Sequence, residues 1–368
     1  MPGPEKINKR ILIAPLDWGL GHATRCIPVI RCLQAHGADV LIATSGHQEV
    51  LLRREFPNAT YLHLPGYGVR YGKRGVMLRL LAQIPVIRRH IFTEHAWLQQ
   101  AIRQHKIDGV ISDNRYGLYS SEVPSVIITH QLQLQMPAWA KFFRSGIRQL
   151  LYQHIGHFGA CWVPDLQDGD GSLAGDMSHP PTLPAVQLKY IGWLSRFERP
   201  DYPPLREDTL LISLSGPEPQ RSLLEEKVLQ QASQIDGTIW LVRGLPGQAH
   251  LPPAPPNVTV HNHLPSSEMQ DLMLRCKLLI ARSGYSTLMD ALALHTPIAC
   301  VPTPGQTEQE YLARRLSVKG WAVHQSQENF SLSTLVKESE AARIANMLTT
   351  GEGTLSSVLK AWLSGTVH

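Results

Sequence analysis

The fold of the first part of the chain is indicated by residues 10–37, RILIAPLDWGLGHATRCIPVIRCLQAHG. Its apolar run RILIAP has the character of a buried strand, and CIPVIRCLQAHG repeats apolar residues at helical spacing. The intervening DWGLGHATR, residues 17–25, therefore predicts a glycine-rich turn from a strand into a helix. In doubly wound α/β sheets such turns bind ligands, because glycine lets the backbone approach a phosphate and a helix N-terminus favours an anion. The third glycine of a dinucleotide fingerprint is absent, which leaves a plain tight turn open as an alternative.

Length and composition favour a globular protein of two domains. The chain has 368 residues, of which 43% are hydrophobic and 18% charged. Its five cysteines are scattered and never form a CxxC pair, which favours reduced thiols over disulfides or a zinc site. The first residues, MPGPEKINKR, lack an apolar core, and no apolar run has the length of a membrane span. We therefore expect a cytoplasmic protein without a secretion signal or a transmembrane segment.

Apolar runs of strand length alternate with amphipathic segments of helix length in two series along the chain. The runs of the first series lie at residues 10–15, 38–44, 108–113 and 125–130, and those of the second at 210–216, 238–244, 257–264, 277–282 and 297–302. The segment QLKYIGWLSRF, residues 187–197, is expected to hold the closing strand of the first domain. Residues 165–184, rich in Gly, Asp, Ser and Pro, separate the series and predict no regular structure. This alternation predicts an α/β protein with two doubly wound Rossmann-like domains, 1–195 and 205–350, facing each other across a cleft. A C-terminal helix at about 352–368 is expected to pack back on the first domain.

Two turns of the second series have the position of ligand-binding turns. In SLSGPEPQRSLLEEKVL, Ser215 and Gly216 end a strand and Arg221 begins a helix. In IARSGYSTLMDALALHTP, Ser283 and Gly284 come just before a helix, and Asp290 follows about two turns later, within reach of a ribose. An ordinary helix N-cap is the alternative for Ser283.

The segment RSGYSTLMDALALHTPIACVPTPGQTEQEYLARRL, residues 282–316, resembles the nucleotide-sugar motif of the GT-B glycosyltransferases. It is most similar to the MurG-type N-acetylglucosaminyltransferases, and more distantly to the UDP-glycosyltransferases. The resemblance extends weakly along most of the chain and is specific at residues 19–22 and 282–310. It implies a GT-B fold in which the first domain binds the acceptor and the second binds the nucleotide sugar. The implied reaction transfers a sugar, with inversion, from a UDP-sugar (UDP-N-acetylglucosamine or another UDP-hexose) to a hydroxyl of a lipid-linked or cell-envelope glycan.

The resemblance also implies which residues hold the donor. Ser283 and Gly284 match the turn at the diphosphate, and Asp290 matches the acid at the ribose, where MurG-type enzymes carry Glu. Glu310 stands where the donor-sugar pair usually ends in Gln, so the identity of the sugar stays open. His263 and Leu264 match the loop beside the uracil. The donor-site candidates are Ser215, Gly216, Arg221, His263, Leu264, Arg282, Ser283, Gly284, Asp290, Gln309 and Glu310.

His22 and Asp113 are the catalytic candidates. Inverting transfer needs a base for the attacking hydroxyl, and imidazole titrates near neutral pH. A carboxylate fixes the tautomer of such a base, and Asp113 ends the strand DGVISD, where UDP-glycosyltransferases often carry that acid. An ordinary turn histidine and strand-end acid are the alternatives. The acceptor-site candidates are Gly19, Gly21, Arg25, Asn114, Arg115, His130 and Gln131.

Arg25 and Cys26 support a rival function. The loop GHATRC is similar to the GH..RC pattern of the UDP-sugar hydrolase of pseudaminic acid synthesis, in which the histidine is thought to activate water. A sugar-nucleotide epimerase of the same fold is a third hypothesis, and a binding protein without catalysis is disfavoured. No DxD pair occurs in a suitable loop, and we expect neither a metal nor a cofactor, with the UDP-sugar as co-substrate.

Residues 66–106 hold the basic character of the chain. They contain eight Lys or Arg and one acid, a net charge of +7 in a chain whose total is +5. The segment includes an apolar stretch at residues 76–87, and we expect it to contact an anionic membrane surface. The residues predicted to make this contact are Arg79, Arg88, Arg89 and Trp97. The alternatives are a helix face buried in the core and, without any recognised motif, nucleic-acid binding, which we do not expect.

Overall fold

The computed structural model describes residues 9–67, 84–341 and 354–365. These residues form two compact units. The first unit contains the described residues up to Leu194 together with residues 354–365, and the second contains residues 195–341.

The first unit is built on a parallel sheet of seven strands in the order β3-β2-β1-β4-β5-β6-β7. The strands are β1 Arg10–Pro15, β2 Asp39–Thr44, β3 Thr60–His63, β4 Gly109–Asp113, β5 Ser125–Ile128, β6 Ala160–Val163 and β7 Gln187–Tyr190. Strands β1, β2, β4, β5 and β6 are almost entirely buried, as expected for parallel strands covered on both faces. Their apolar residues form the core of this unit.

Helices connect the strands of the first unit. They are α1 Leu20–Ala35, α2 Gly46–Glu55, α3 Ile84–His105 and α4 Arg144–Ile155, with a 3₁₀ helix at Ala138–Phe143. A further helix at the C-terminal end of the chain, which we number α10, runs over Thr354–Ser364 and packs within this unit. Trp362 contacts Trp162 edge to face at 5.7 Å, and Lys9 Nζ donates to the Leu363 carbonyl at 2.7 Å. These contacts attach α10 to the sheet of the first unit.

The segment at residues 165–184, expected to be irregular, contains one 3₁₀ turn, Gly175–Met177. A fully buried carboxylate organises it. Asp165 accepts hydrogen bonds from the backbone N–H groups of Leu173 and Ala174 and from the hydroxyls of Ser172 and Ser178, all at 2.6–3.0 Å. The loop is therefore ordered by one buried acid rather than by a helix or strand.

The second unit has a parallel sheet of six strands in the order β10-β9-β8-β11-β12-β13. Its strands are β8 Glu207–Ser213, β9 Thr238–Val242, β10 Val258–His261, β11 Cys276–Ala281, β12 Ile298–Cys300 and β13 Val323–His324. Its helices are α5 Gln220–Ala232, α6 Ser266–Arg275, α7 Tyr285–Ala293, α8 Thr307–Val318 and α9 Leu332–Ala341. In each sheet the strand order changes direction near the middle, between β1 and β4 in the first and between β8 and β11 in the second. We call these two positions the sheet reversals. Ligands of doubly wound folds bind at the carboxyl ends of the strands at such a reversal.

Candidate active site

The glycine-rich turn of the first unit lies at the reversal of its sheet. Pro15 at the end of β1 pairs with Asp113 at the end of β4, and Leu16 N donates to the Asp113 carbonyl at 3.0 Å. Gly19 precedes α1 with φ 85°, a left-handed conformation that glycine adopts without strain. Its carbonyl accepts from Gln48 Nε2 of α2 at 2.7 Å, and the Gly21 carbonyl accepts from the Thr24 hydroxyl at 3.0 Å. The turn thus places the first residues of α1 next to Asp113.

His22 and Asp113 form a hydrogen-bonded pair in this position. His22 Nδ1 lies 2.9 Å from Asp113 Oδ2. The His22 side chain is 16% exposed, whereas Asp113 is fully buried. An imidazole that donates Nδ1–H to a carboxylate has a free lone pair at Nε2, which is the form that accepts a proton from a hydroxyl. The structure therefore brings the two catalytic candidates together in a geometry suited to general-base chemistry.

Arg25 is the third member of this cluster. Its Nε and Nη2 donate to Asp113 Oδ1, the former at 2.8 Å, and its Nη2 also lies 2.8 Å from His22 Nδ1. Nη1 lies 3.3 Å from Nδ1 of the buried His130, which follows β5. The guanidinium of Arg25 is 3% exposed. Arg25 and His130 were predicted at the acceptor site, and in the structure both have partners inside this cluster.

The charges of the cluster shift the pKa values of its members. Burial lowers the pKa of His22 below 6.5 and the Arg25 cation lowers it further, while Asp113 opposes both. The first turn of α1, with its positive end of the helix dipole, also disfavours a cationic His22. Burial acts to raise the pKa of Asp113, but Arg25 and His22 hold it below its usual value. At neutral pH the cluster therefore contains an ionised Asp113 and a neutral His22.

Two further acceptor candidates follow Asp113 directly. Asn114 has φ 56° and is 5% exposed, and its Oδ1 has no hydrogen-bond partner in the described part of the chain. Arg115 is 1% exposed and donates to Glu94 at 2.6 Å and to the carbonyls of Pro15 and Pro65. Arg115 thus braces the strand that enters the glycine turn. Nothing in the sequence indicated its pairing with Glu94.

The donor turn of the second unit begins helix α7. Gly284 is the N-cap of this helix with φ −73° and ψ 136°, and no side chain caps it. A Cβ built on Gly284 would meet no atom within 4 Å, so the space in front of the helix is open at this point. Ser283 is fully buried, and its hydroxyl donates to the Gln309 carbonyl at 2.7 Å. The turn therefore offers backbone N–H groups, rather than the Ser283 hydroxyl, to an anion.

Arg282 cross-links the loops around this turn. It is fully buried and donates to the carbonyls of Val301, Pro302 and Gln220 and to the side chain of Gln327, at 2.6–3.3 Å. Within the described residues these partners are all neutral oxygens, and none of them is a carboxylate that would offset its charge. Burial lowers the pKa of Arg282 to about 10. The buried cation precedes Ser283 directly and adds to the positive potential at the start of α7.

The two candidates for the donor sugar brace the neighbouring loop. Gln309 Oε1 accepts from Thr303 N at 2.8 Å, and Glu310 Oε1 accepts from Gly305 N at 3.0 Å. Because the amide oxygen of Gln309 is occupied, its NH₂ group is the end available to a ligand. Gly216, after β8, is exposed with φ 99°, and a Cβ on it would come within 3.3 Å of the Thr303 hydroxyl. Gly216 and the Thr303 loop are therefore in contact.

Arg221 has strong partners of its own. It is 4% exposed and donates to Glu218, Glu225 and Ser222, each at 2.6 Å. Glu225 in turn holds Arg243 in a two-point ion pair at 2.8 and 2.9 Å. The guanidinium of Arg221 is thus engaged inside the unit. Of the remaining donor candidates, Ser215 is exposed, His263 is half-buried and Leu264 is buried.

Asp290 is buried and bonded to the start of the second unit. Its Oδ1 accepts from the Ser195 hydroxyl and from Arg196 N, and its Oδ2 accepts from Arg196 Nε, at 3.0–3.1 Å. Burial raises the pKa of Asp290, and Arg196 opposes this. Both carboxylate oxygens are therefore occupied by protein donors, and the ribose role of Asp290 stays a prediction.

We expect Asp290→Ala to lower the free energy of unfolding by about 3 kcal/mol, because it removes the carboxylate that forms an ion pair with the largely buried Arg196. Chemical denaturation measures this loss. Calorimetry with UDP on the same variant tests the ribose role. A ten- to hundredfold loss of affinity, about 1.4 to 2.8 kcal/mol, at unchanged stability would assign Asp290 to the ribose instead.

The residues predicted to contact a membrane are placed differently from one another. Arg79 lies outside the described residues. Arg88 and Arg89 are exposed in the first turns of α3, whereas Trp97 is half-buried and packs against the core of the first unit. None of the described helices has the length and apolar character required to cross a bilayer. No three His, Cys, Asp or Glu side chains in the described ranges come together as a potential metal site.

The chain is similar in sequence to known glycosyltransferases. Residues 224–347 match the model of the Glycosyltransferase family 28 C-terminal domain, and most of this range lies in the described second unit. An uncharacterized glycosyltransferase of Methanosarcina acetivorans is 26% identical over 332 residues, covering 85% of this chain and 84% of the relative.

Solved structures share the fold at low sequence identity. The calicheamicin glycosyltransferase CalG4 aligns over 98% of this chain and 100% of its own with a TM-score of 0.63 and 15% identity. MurG of Acinetobacter baumannii aligns over 96% and 99% with a TM-score of 0.53 and 16% identity. A candidate UDP-N-acetylglucosamine 2-epimerase of Listeria monocytogenes aligns over 98% and 96% with a TM-score of 0.62 and 14% identity. The predicted GT-B fold and the resemblance to GT-B glycosyltransferases are confirmed, and residues 224–347 are similar to the family 28 C-terminal domain.

Proposed function

We propose that the protein is an inverting glycosyltransferase that moves a sugar from a UDP-sugar to a hydroxyl of an acceptor. The observation that carries this proposal is the His22–Asp113 pair, 2.9 Å apart at the sheet reversal of the first unit. The family 28 match of the second unit supports a nucleotide-sugar donor. UDP-N-acetylglucosamine is the first donor to test, followed by other UDP-hexoses.

In the proposed reaction His22 acts as the general base. Its Nδ1–H bonds to Asp113, and its Nε2 accepts the proton of the acceptor hydroxyl as that oxygen attacks C1 of the sugar. The bond between C1 and the phosphate oxygen breaks from the opposite face, and its electron pair leaves with UDP. Asp113 stabilises the imidazolium that forms. The products are the glycosylated acceptor and UDP, with the anomeric configuration inverted.

The departing diphosphate requires positive potential, which the second unit supplies. We propose that it binds at the N-terminus of α7, where backbone N–H groups, the helix dipole and the buried Arg282 cation act together. The Ser215–Gly216 turn after β8 is the second proposed contact, since it follows the neighbouring strand at the sheet reversal. These groups give the protein its own means of stabilising the leaving group, and we propose a reaction that needs no metal.

A screen of nucleotide sugars against the full chain tests this function. We expect UDP and a UDP-sugar to raise the melting temperature of the protein. We also expect UDP to be released from the UDP-sugar only when an acceptor is present. Release of free sugar with acceptor in excess would support the hydrolase hypothesis instead. The Listeria structure makes epimerisation a necessary control, because a 2-epimerase has the same fold. Conversion of the donor to its epimer without acceptor would overturn the transferase proposal.

We further propose that the acceptor is presented at the cytoplasmic face of a membrane, as lipid-linked and cell-envelope glycans are. An aromatic patch supports this: Trp139, Phe142 and Phe143 of the 3₁₀ helix are 58%, 92% and 58% exposed. Lys141 is exposed beside them, and the Arg88 cation of α3 acts electrostatically on His154 in the last turn of α4, the helix that follows this 3₁₀ helix. Exposed aromatic rings among cations suit the boundary between headgroups and acyl chains of an anionic bilayer.

The double variant Phe142→Ser, Phe143→Ser should bind anionic vesicles at least tenfold more weakly, because each buried phenyl ring contributes about 1.5–3 kcal/mol. Co-sedimentation with phosphatidylglycerol vesicles at low salt measures the bound fraction. Leu205→Ser is the matched control, since Leu205 is 90% exposed on the second unit. Equal sedimentation of parent and double variant, or none by the parent, would remove the membrane from the proposal.

A further inference from the structure

The guanidinium of Arg25 occupies an unusual place for a residue next to a candidate base. It contacts the base and the carboxylate that orients it at the same time. Its Nη2 lies 2.8 Å from His22 Nδ1, while its Nε donates to Asp113 Oδ1 at 2.8 Å. At 3% exposure it offers little surface to a ligand. Its contacts therefore point towards the proton chemistry of His22 rather than towards the acceptor.

A single ring nitrogen of His22 faces both a donor and an acceptor. Asp113 Oδ2, 2.9 Å from Nδ1, requires a proton on that nitrogen, whereas Arg25 Nη2 can only donate and requires a lone pair there. Nδ1 satisfies one of them at a time. With the proton on Nδ1, Nε2 is free to act as a base; with the lone pair on Nδ1, Nε2 carries the proton. Arg25 Nη2 also donates to Asp113 Oδ1, so the tautomer with the proton on Nδ1 leaves Arg25 with an acceptor and leaves Nε2 free to act as the base.

Arg25 therefore acts on His22 through its charge. The groups that face His22 are Arg25 from α1, Asp113 from β4 and His130 after β5. With His22 neutral, Arg25 and Asp113 cancel; with His22 protonated, the buried cluster has a net positive charge. Uncompensated charge in a buried site is costly. A carboxylate alone would draw a proton onto the imidazole, and the arginine cancels that attraction.

We propose that Arg25 is a positioning residue that keeps His22 unprotonated, so that the base stays available below neutral pH. The inference rests on the proposed function of His22 as the general base, and it gives Arg25 a role that does not involve the acceptor. The depressed pKa of His22, caused first by burial and next by Arg25, agrees with it. Removing the positive charge at position 25 should let Asp113 attract a proton to His22.

Nuclear magnetic resonance of histidine-labelled full-length protein tests the proposal without any substrate. His22→Gln identifies the His22 signals among the 17 histidines. In Arg25→Gln we expect the pKa of His22 to rise by about one unit or more. Arg25→Lys keeps the charge and should keep the pKa low. A His22 pKa that is the same in the parent and in Arg25→Gln would overturn the proposal.

Arg25→Gln removes one hydrogen-bond partner of the buried Asp113 and could therefore disturb the fold. A second pair of variants, made in a different background, keeps the test valid in that case. In an Asp113→Asn background, Gln at position 25 should still give a higher His22 pKa than Lys at that position, and equal values would again overturn the proposal. The pH dependence of kcat/KM is the second readout. The rise of kcat/KM with pH that accompanies deprotonation of His22 should occur at higher pH in Arg25→Gln. A purely structural role of Arg25 would instead lower kcat/KM equally at every pH. If no nucleotide sugar is turned over, the proposed function fails while the resonance measurement still decides the role of Arg25.

Discussion

His22→Ala is expected to lower kcat by about 10² to 10⁴, since this is the usual contribution of a positioned general base. The loss should appear with little change in the affinity for UDP, because the proposed nucleotide site lies in the second unit and His22 in the first. Steady-state kinetics of UDP release give kcat, and calorimetry gives the affinity. Activity should also rise with pH through the pKa of His22. This rise is expected below pH 6.5, because burial and Arg25 lower that pKa.

His63→Gln is the matched control for this prediction. His63 is an exposed histidine at the end of β3 in the same unit, and its replacement should leave kcat within about twofold, as surface substitutions usually do. Full activity of His22→Ala would show that His22 is not the base and that the glycine turn has only a structural role. A parallel loss of UDP binding and kcat would show that His22 supports the donor site or the fold, and would exclude it as the base.

The strands that position the candidate site could be predicted because each contains a short run of consecutive apolar residues. β1, β4, β8 and β11 lie at the two sheet reversals, and the sequence indicated all four. A parallel strand covered by helices on both faces buries side chains on both sides, so its apolar residues follow one another instead of alternating with polar ones. The glycine turns that follow β1, β8 and β11 could also be predicted, because a strand and a helix separated by only a few residues must be joined by a tight turn.

Three strands were not predicted, and each has a physical reason. β3, Thr60–His63, lies at the sheet edge and is half exposed, so its pattern is mixed. β13 has two residues, too few for any periodicity. β6, Ala160–Val163, is fully buried but short, and it follows directly on the turn that ends α4. Short elements obtain their stability from neighbours that the local sequence does not show.

The partners of the charged side chains were beyond sequence analysis. The type and spacing of residues suggested ligand contacts for Arg115, Arg221 and Asp290. In the structure they bond to Glu94, Glu225 and Arg196, and two of these pairs connect residues more than 20 positions apart. Such pairs form because the fold brings the charges together, and a buried charge requires a partner. The His22–Asp113 pair, 91 positions apart, was accessible because the resemblance to a family gave both residues a place in one site.

Gly284→Asp should abolish measurable UDP binding while leaving the fold intact. Gly284 is the N-cap of α7 in an extended conformation, with open space around its Cα, and Asp is among the preferred residues at this position. The substitution therefore places a carboxylate where the diphosphate is proposed to bind. Two like charges 4 Å apart repel by about 4 kcal/mol at the effective dielectric of a protein surface. That energy corresponds to about a thousandfold loss of affinity.

Gly284→Asn separates charge from shape, because asparagine has nearly the same size as aspartate and also caps helices. We expect calorimetry to show a much smaller loss of UDP affinity in this variant, and denaturation to show free energies of unfolding for both variants within about 0.5 kcal/mol of the parent. Since a neutral cap and an anionic cap differ here only in charge, a large difference between their affinities can arise only from an anion bound at the start of α7. Equal affinities for the Asp and Asn variants would move the diphosphate away from this helix and, with it, the donor site that the proposed function requires.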